Sequence, residues 1–127
     1  MAHMVVIDDQ EAMRSVLQQT LHAEGHRVSL APDGQTGLQL LHAPQPEVLL
    51  TDLYMPQMDG IEILHTVRLQ FPVLKIIAMS GGGRWNLAKA VFGDARALGA
   101  HSTLATPFTL QALCAALQAV LTEEPQS

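Results

Sequence analysis

The fold is decided by the stretch Val-Val-Ile-Asp-Asp at residues 5–9, in which an aliphatic run leads directly into two carboxylates. Short β-branched runs of this kind are typical of strands buried on both faces of a parallel sheet. A second run, Val-Leu-Leu-Thr at residues 48–51, leads into Asp52 in the same way. Because ligands of open parallel α/β sheets bind outside the carboxyl ends of the strands, Asp8, Asp9 and Asp52 are predicted to meet there.

Three carboxylates at one sheet edge repel each other unless a hard divalent cation lies among them. The sequence therefore favours an Mg²⁺-dependent acidic pocket at Asp8, Asp9 and Asp52. The alternative is that these residues are ordinary capping or turn carboxylates.

The rest of the chain alternates short apolar runs with amphipathic stretches, a pattern typical of repeated βα units. Further strands are predicted over residues 27–30, 74–79 and 101–105. Helical spacing marks apolar positions at 13, 16, 17 and 21, and again at 61, 64 and 67. Further helices are predicted at 38–41, at 87–98, and from an N-cap at Thr109 through 110–121. This gives five strands and five helices in alternation.

Size and composition indicate one globular domain, which we expect to cover residues 1–122, with a polar tail at 123–127 and no effector domain. The chain has 127 residues, 48% of them hydrophobic, and a formal net charge of −5. Its seven Lys and Arg form no basic cluster, so we expect no nucleic-acid binding. No apolar stretch is long enough to cross a bilayer, and the single cysteine, Cys114, fits a cytoplasmic protein.

The chain resembles the receiver domain of response regulators, the phosphorylated half of two-component signalling. The resemblance covers nearly the whole chain. It rests on residues 5–9, on Asp-Leu-Tyr-Met-Pro-Gln-Met-Asp-Gly at 52–60, on Ala-Met-Ser at 78–80, and on Gly-Ala at 99–100 followed by Thr-Pro-Phe at 106–108. It implies a flavodoxin-like (βα)5 fold, a doubly wound parallel sheet of five strands in the order 2-1-3-4-5.

The resemblance also implies roles for individual residues. Asp52 would accept a phosphoryl group, with Asp9 and Asp52 as direct Mg²⁺ ligands and Asp8 acting mostly through water. The backbone carbonyl of Tyr54 would complete the metal ligands, and Ser80 would hydrogen-bond the phosphoryl group. Such a protein is a self-phosphorylating acceptor rather than a turnover enzyme.

The partners implied by the resemblance are proteins. A histidine kinase or a histidine phosphotransfer protein would supply the phosphoryl group, and an unknown downstream protein would read the altered surface. That surface is expected at the helix near 87–98, the fifth strand and the last helix. The protein is expected to be a monomer or a weak dimer, without contact to nucleic acid or membrane.

Two residues depart from the family pattern. Thr106 stands where receivers usually carry a lysine, and Thr103 stands where many carry an aromatic residue that moves on phosphorylation. Arg84, which follows three glycines, is a speculative replacement for the missing lysine charge, and Lys89 is a weaker candidate. The sequence is therefore also compatible with a degenerate receiver that acts as a phosphorylation-independent interaction module.

Two further interpretations remain open, one about the length of the protein and one about its reaction. The chain is also compatible with a receiver excised from a larger regulator or hybrid kinase. A metal-dependent hydrolase with an aspartyl nucleophile is a remote possibility, because that class requires a second carboxylate two residues after the nucleophile, where this chain has Tyr54.

Overall fold

Five parallel strands form a single sheet in the computed structural model, which describes residues 2–42, 44–53, 60–80, 99–105 and 107–122. The strands are β1 (His3–Ile7), β2 (Arg27–Ala31), β3 (Val48–Asp52), β4 (Lys75–Ser80) and β5 (Ser102–Ala105). Their order is β2-β1-β3-β4-β5, and every neighbouring pair is parallel. The predicted fold class and strand order are confirmed. The strand order reverses at β1, so the β1–β3 boundary is the expected ligand position.

Helices cover both faces of this sheet because successive strand residues point to opposite sides. The described helices are α1 (Glu11–Ala23), α2 (Gly34–Leu40), α3 (Gly60–Gln70) and α4 (Leu110–Thr122). Even-numbered residues of β1 and β3, such as Val6 and Leu50, pack with the buried sides of α1 and α4. Odd-numbered residues, such as Ile7 and Leu49, pack with α2 and α3. Each fully buried aliphatic side chain contributes about 1.5–3 kcal/mol of transfer free energy.

The ends of three helices follow local rules. Gly25, with φ of +91°, ends the α1 segment in the left-handed conformation that glycine adopts without strain. Thr109 accepts a hydrogen bond from the backbone N–H of Ala112 at 3.0 Å, which confirms it as the N-cap of α4. Asp33 caps α2 by accepting from the N–H of Thr36 at 2.7 Å, and this bond lowers the pKa of the Asp33 carboxyl below 3.8.

Three apolar residues of the predicted helices are exposed in the structure. Val16 of α1 is 58% exposed, Leu110 is 54% exposed, and Leu121 is 36% exposed. Val16 directly precedes the buried Leu17, and Leu121 directly follows the buried Val120. Neighbouring positions of a helix are rotated by about 100° around its axis, so both side chains point away from the buried side. Leu110 is the first residue of α4.

Several element boundaries differ from prediction by a few residues. Asp33 is the N-cap and Gly34 the first residue of α2, so this helix begins four residues before its predicted start at 38. Asp52 is the last residue of β3 rather than the residue after it. The helix predicted at 87–98 lies outside the described residues. No helix in the described part of the chain has the length and apolarity of a membrane span.

Candidate metal centre

The backbone register of the central strands brings two acidic segments together. Ile7 of β1 pairs with Thr51 of β3, so the residues that follow them, Asp8 and Asp52, emerge side by side. On the other side of β3, Asp52 pairs with Met79 of β4. The N–H of the next residue, Leu53, donates to the Met79 carbonyl at 2.9 Å, which fixes the end of β3.

Asp8, Asp9 and Asp52 form one cluster at this edge. Each offers a carboxylate oxygen, and these oxygens all lie within 4.8 Å of one another. The three side chains differ in exposure: Asp8 is buried, Asp52 is half-buried and Asp9 is exposed. The structure thus brings together the three carboxylates that the sequence placed at the strand ends, with an open side at Asp9.

Asp8 is the most constrained of the three. It is only 4% exposed, and its Oδ1 accepts a hydrogen bond from the N–H of Gln10 at 2.8 Å. Burial raises the pKa of the Asp8 carboxyl above 3.8, and the neighbouring charge of Asp9 raises it further. The Gln10 bond and the charge of Arg14 act in the opposite direction. Burial and the Asp9 charge outweigh these two contributions, so the pKa of the Asp8 carboxyl remains above 3.8.

Two residues near the carboxylates were missed by sequence reasoning. Arg14 donates from Nη1 to the backbone carbonyl of Asp8 at 2.8 Å. Thr51 is fully buried and donates from Oγ1 to the backbone carbonyl of Asp52 at 3.1 Å. Neither contact has a sequence signature, because each depends on the path of the backbone at a strand end. The only available signal was position: Arg14 lies five residues after Asp9, in the first turn of the helix that follows it.

The donor set suits Mg²⁺. All three groups are hard oxygen donors, the type that Mg²⁺ prefers, and Mg²⁺ bonds are about 2.1 Å long. Oxygens on opposite sides of the ion are then about 4.2 Å apart. The spacing of at most 4.8 Å between the carboxylate oxygens therefore needs only small side-chain rotations, or one bridging water, to hold such an ion.

The remaining predicted site residues are described in part or not at all. Ser80 is the last residue of β4 and pairs with Ala105, but its side chain lies outside the described part of the structure. Tyr54, Arg84 and Thr106 lie outside the described residues. Thr103 is half-buried in β5 and pairs with Ala78.

Comparisons with known proteins agree with this geometry. A family profile described as the response regulator receiver domain matches residues 4–118. The response regulator MprA of Mycolicibacterium vanbaalenii is 34% identical over 118 residues, which are 92% of this chain and 49% of that protein. The chain thus spans about half the length of the curated relatives it matches.

Solved structures show the same architecture. The chemotaxis response regulator CheY4 of Vibrio cholerae superposes with a TM-score of 0.84 at 28% identity, covering 94% of this chain and 98% of that one. A response regulator receiver domain protein from Clostridium thermocellum gives a TM-score of 0.81 at 26% identity, covering 95% and 94%. The chain therefore belongs to the response regulator receiver domain family.

Proposed function

We propose that this chain is a phosphoacceptor of a two-component or phosphorelay pathway and that Asp52 takes the phosphoryl group. The donor would be a phosphohistidine on a histidine kinase or a histidine phosphotransfer protein. The observation that carries the proposal is the spacing of Asp8, Asp9 and Asp52, whose carboxylate oxygens lie within 4.8 Å of one another at the switch point of the sheet.

The transfer is an in-line displacement. A carboxylate oxygen of Asp52 forms a bond to phosphorus while the bond from phosphorus to the donor's histidine nitrogen breaks, and that nitrogen keeps the electron pair. Asp52 suits this role because it is the last residue of β3 and its backbone is held by pairing with Met79 of β4. Its side chain is half-buried. A carboxylate needs little activation for such an attack if the phosphoryl oxygens are neutralised.

All three carboxylates, including that of Asp52, would take part in holding the cation. Asp9 is exposed and Asp52 is half-buried, so these two face the open side of the pocket and would ligate Mg²⁺ directly. Asp8 is buried and already accepts from the Gln10 N–H, which suits a contact through water. Bound Mg²⁺ would neutralise phosphoryl oxygens during the transfer. The Tyr54 carbonyl would be a further ligand, and the Ser80 hydroxyl would donate to the phosphoryl group.

The proposal has consequences for the rest of the protein. The receiver unit would comprise residues 1–122, act in the cytoplasm, and signal through altered protein contacts rather than by turnover. Arg84 would be the compensating cation near the phosphoryl group. The family resemblance supports the receiver unit and its mode of signalling, whereas the role of Arg84 is supported by its position directly after three glycines.

A degenerate receiver is the second candidate, and Thr106 is the residue that favours it. Receivers usually have lysine at this position, and a hydrogen bond from a charged group contributes about 1.5–3 kcal/mol. Threonine offers one neutral donor. In a degenerate receiver, the domain binds its partner whether or not Asp52 is phosphorylated.

Treatment with acetyl phosphate separates the two candidates. We expect the intact mass to rise by one phosphoryl group in the presence of Mg²⁺, and not in the presence of a chelator. Asp52→Asn should abolish the gain, whereas the matched variant Asp33→Asn, which changes a helix cap outside the trio, should retain it. A wild-type protein that gains no phosphoryl group under these conditions would favour the degenerate receiver.

A further inference from the structure

Arg14 makes a contact with the acidic pocket that the proposed phosphoryl transfer does not use. It lies in the first turn of α1, where its N–H donates to the Gln10 carbonyl at 3.0 Å. Its side chain is half-buried and turns back toward β1. There Nη1 donates to the backbone carbonyl of Asp8 at 2.8 Å. A distance of this length is that of a well-formed hydrogen bond from a charged donor.

The carbonyl that Arg14 holds belongs to the peptide that joins Asp8 to Asp9. A peptide unit is planar, so fixing its oxygen also fixes the direction in which the next residue leaves it. The N–H and one carboxylate oxygen of Asp8 are held as well. Its N–H donates to the Ala31 carbonyl at 3.1 Å, and its carboxylate accepts from Gln10 at 2.8 Å. In those two contacts the partner is a backbone group of Ala31 or Gln10. Arg14 instead uses its side chain, and it holds the Asp8 carbonyl, which belongs to the peptide that leads to Asp9.

We propose that Arg14 is a positioning residue of the metal pocket, which orients the Asp8 and Asp9 carboxylates toward the cation by holding the peptide between them. The inference rests on the proposed function, because it takes the acidic trio to be the Mg²⁺ site. Contacts behind the ligands of a metal typically change its affinity by about tenfold or more when they are removed.

The charge of Arg14 and its positioning role have opposite effects on metal affinity. A guanidinium beside the pocket repels an incoming cation, so loss of the charge alone would tighten Mg²⁺ binding. Loss of the hold on the Asp8 carbonyl would weaken binding, because the carboxylates must then be ordered when the ion enters. The direction of the change therefore shows which role dominates.

The test is a calorimetric titration of the full chain with MgCl₂ for wild type, Arg14→Met and Arg14→Lys. We expect the Kd of Arg14→Met to rise about tenfold, which corresponds to about 1.4 kcal/mol. Arg14→Lys keeps the charge and a shorter donor, so its Kd should lie between the other two. An Arg14→Met protein that binds Mg²⁺ as tightly as wild type, or more tightly, overturns the proposal.

Arg68 provides a matched control at the opposite end of the sheet. Its Nη1 donates to the backbone carbonyl of Pro72 at 3.0 Å, so Arg68→Met removes the same charge and the same type of bond. We expect Arg68→Met to lower the thermal midpoint without changing the Mg²⁺ Kd. If both variants weaken Mg²⁺ binding equally, the effect of Arg14 is a general loss of stability and the proposal fails.

Failure of this inference is distinguishable from failure of the proposed function. If wild type shows no saturable Mg²⁺ binding, the metal site itself is refuted and the role of Arg14 with it. If wild type binds Mg²⁺, Asp52→Asn loses that binding and Arg14→Met retains it, only the inference about Arg14 is refuted.

Discussion

The two ends of the sheet differ in how their charged and polar groups are arranged. At the carboxyl end, Asp8, Asp9 and Asp52 bring three like charges within 4.8 Å, and burial raises the pKa of Asp8. At the amino end, polar groups are paired within the protein. His26 accepts from the Ala2 N–H at 3.1 Å, and His101 accepts from the Ile76 N–H at 3.1 Å, in both cases at Nδ1.

The difference between the ends shows how the fold separates stability from function. Both ends belong to the same strands and rest on the same buried core, yet within the described part of the chain it is the carboxyl end that gathers three like charges. Proteins retain such local conflicts mainly at functional sites. A cation at the carboxyl end would relieve the repulsion, whereas the amino end needs none. Variants that act on one end or on both test this separation. We expect the largest loss of stability from a variant in the core that both ends share.

Loss of core volume should weaken both ends together. Leu50 is fully buried in the middle of β3, so Leu50→Ala should lower the free energy of unfolding by about 2–5 kcal/mol, measured by urea denaturation. The control, Leu69→Ala, removes a side chain that is 72% exposed and should change it by less than about 0.5 kcal/mol. Equal losses for the two variants would contradict the assigned core.

Crowding beneath the carboxyl end should reduce stability less. A Cβ on Gly37 of α2 would lie 2.5 Å from Cγ1 of the buried Ile7, the residue that precedes Asp8. Gly37→Ala should therefore cost about 1–3 kcal/mol in urea denaturation. Combined with Ile7→Ala, which makes room for the methyl group, it should cost less than the sum of the two single changes. Simple additivity would show that α2 does not pack this closely on β1.

A change at the amino end should affect stability and leave the metal site intact. His101→Phe removes the acceptor for the Ile76 N–H, so we expect a loss of about 1–2 kcal/mol in urea denaturation. The Mg²⁺ Kd should stay at the wild-type value. The control His22→Ala, at an exposed position of α1, should leave both quantities unchanged. A large rise in the Kd of His101→Phe would show that the two ends are coupled.

Neutralising one carboxylate should slightly stabilise the metal-free protein. The folded-state pKa of Asp8 is raised, so its ionisation costs stability as pH rises through that pKa. Asp8→Asn keeps an oxygen that can accept from Gln10 and removes this cost. We expect a small gain in the free energy of unfolding at neutral pH in chelator, and none well below pH 3.8. A variant that is less stable than wild type at neutral pH would contradict the repulsion.

The strands and the acidic trio could be predicted from sequence because both depend on short, strong signals. Buried aliphatic runs specify strands, and residues after parallel strands meet at one edge. Burial on the helices was harder to predict, since an apolar residue such as Val16 lies only one position from the buried Leu17. The contact of Arg14 with the Asp8 carbonyl was not predictable at all, because it depends on how the β1–α1 turn directs a carbonyl group.

Thermal unfolding of the metal-free protein, with and without added Mg²⁺, tests the central claim most directly. If the acidic trio is the cation site, Mg²⁺ at about 100 times its Kd should stabilise wild type by about 2.7 kcal/mol and raise its Tm. Asp52→Asn, which lacks one of the three carboxylates, should respond much less. A wild-type Tm that does not rise with Mg²⁺, or an equal rise in Asp52→Asn, would contradict the assignment of Asp8, Asp9 and Asp52 as one metal and phosphoryl site.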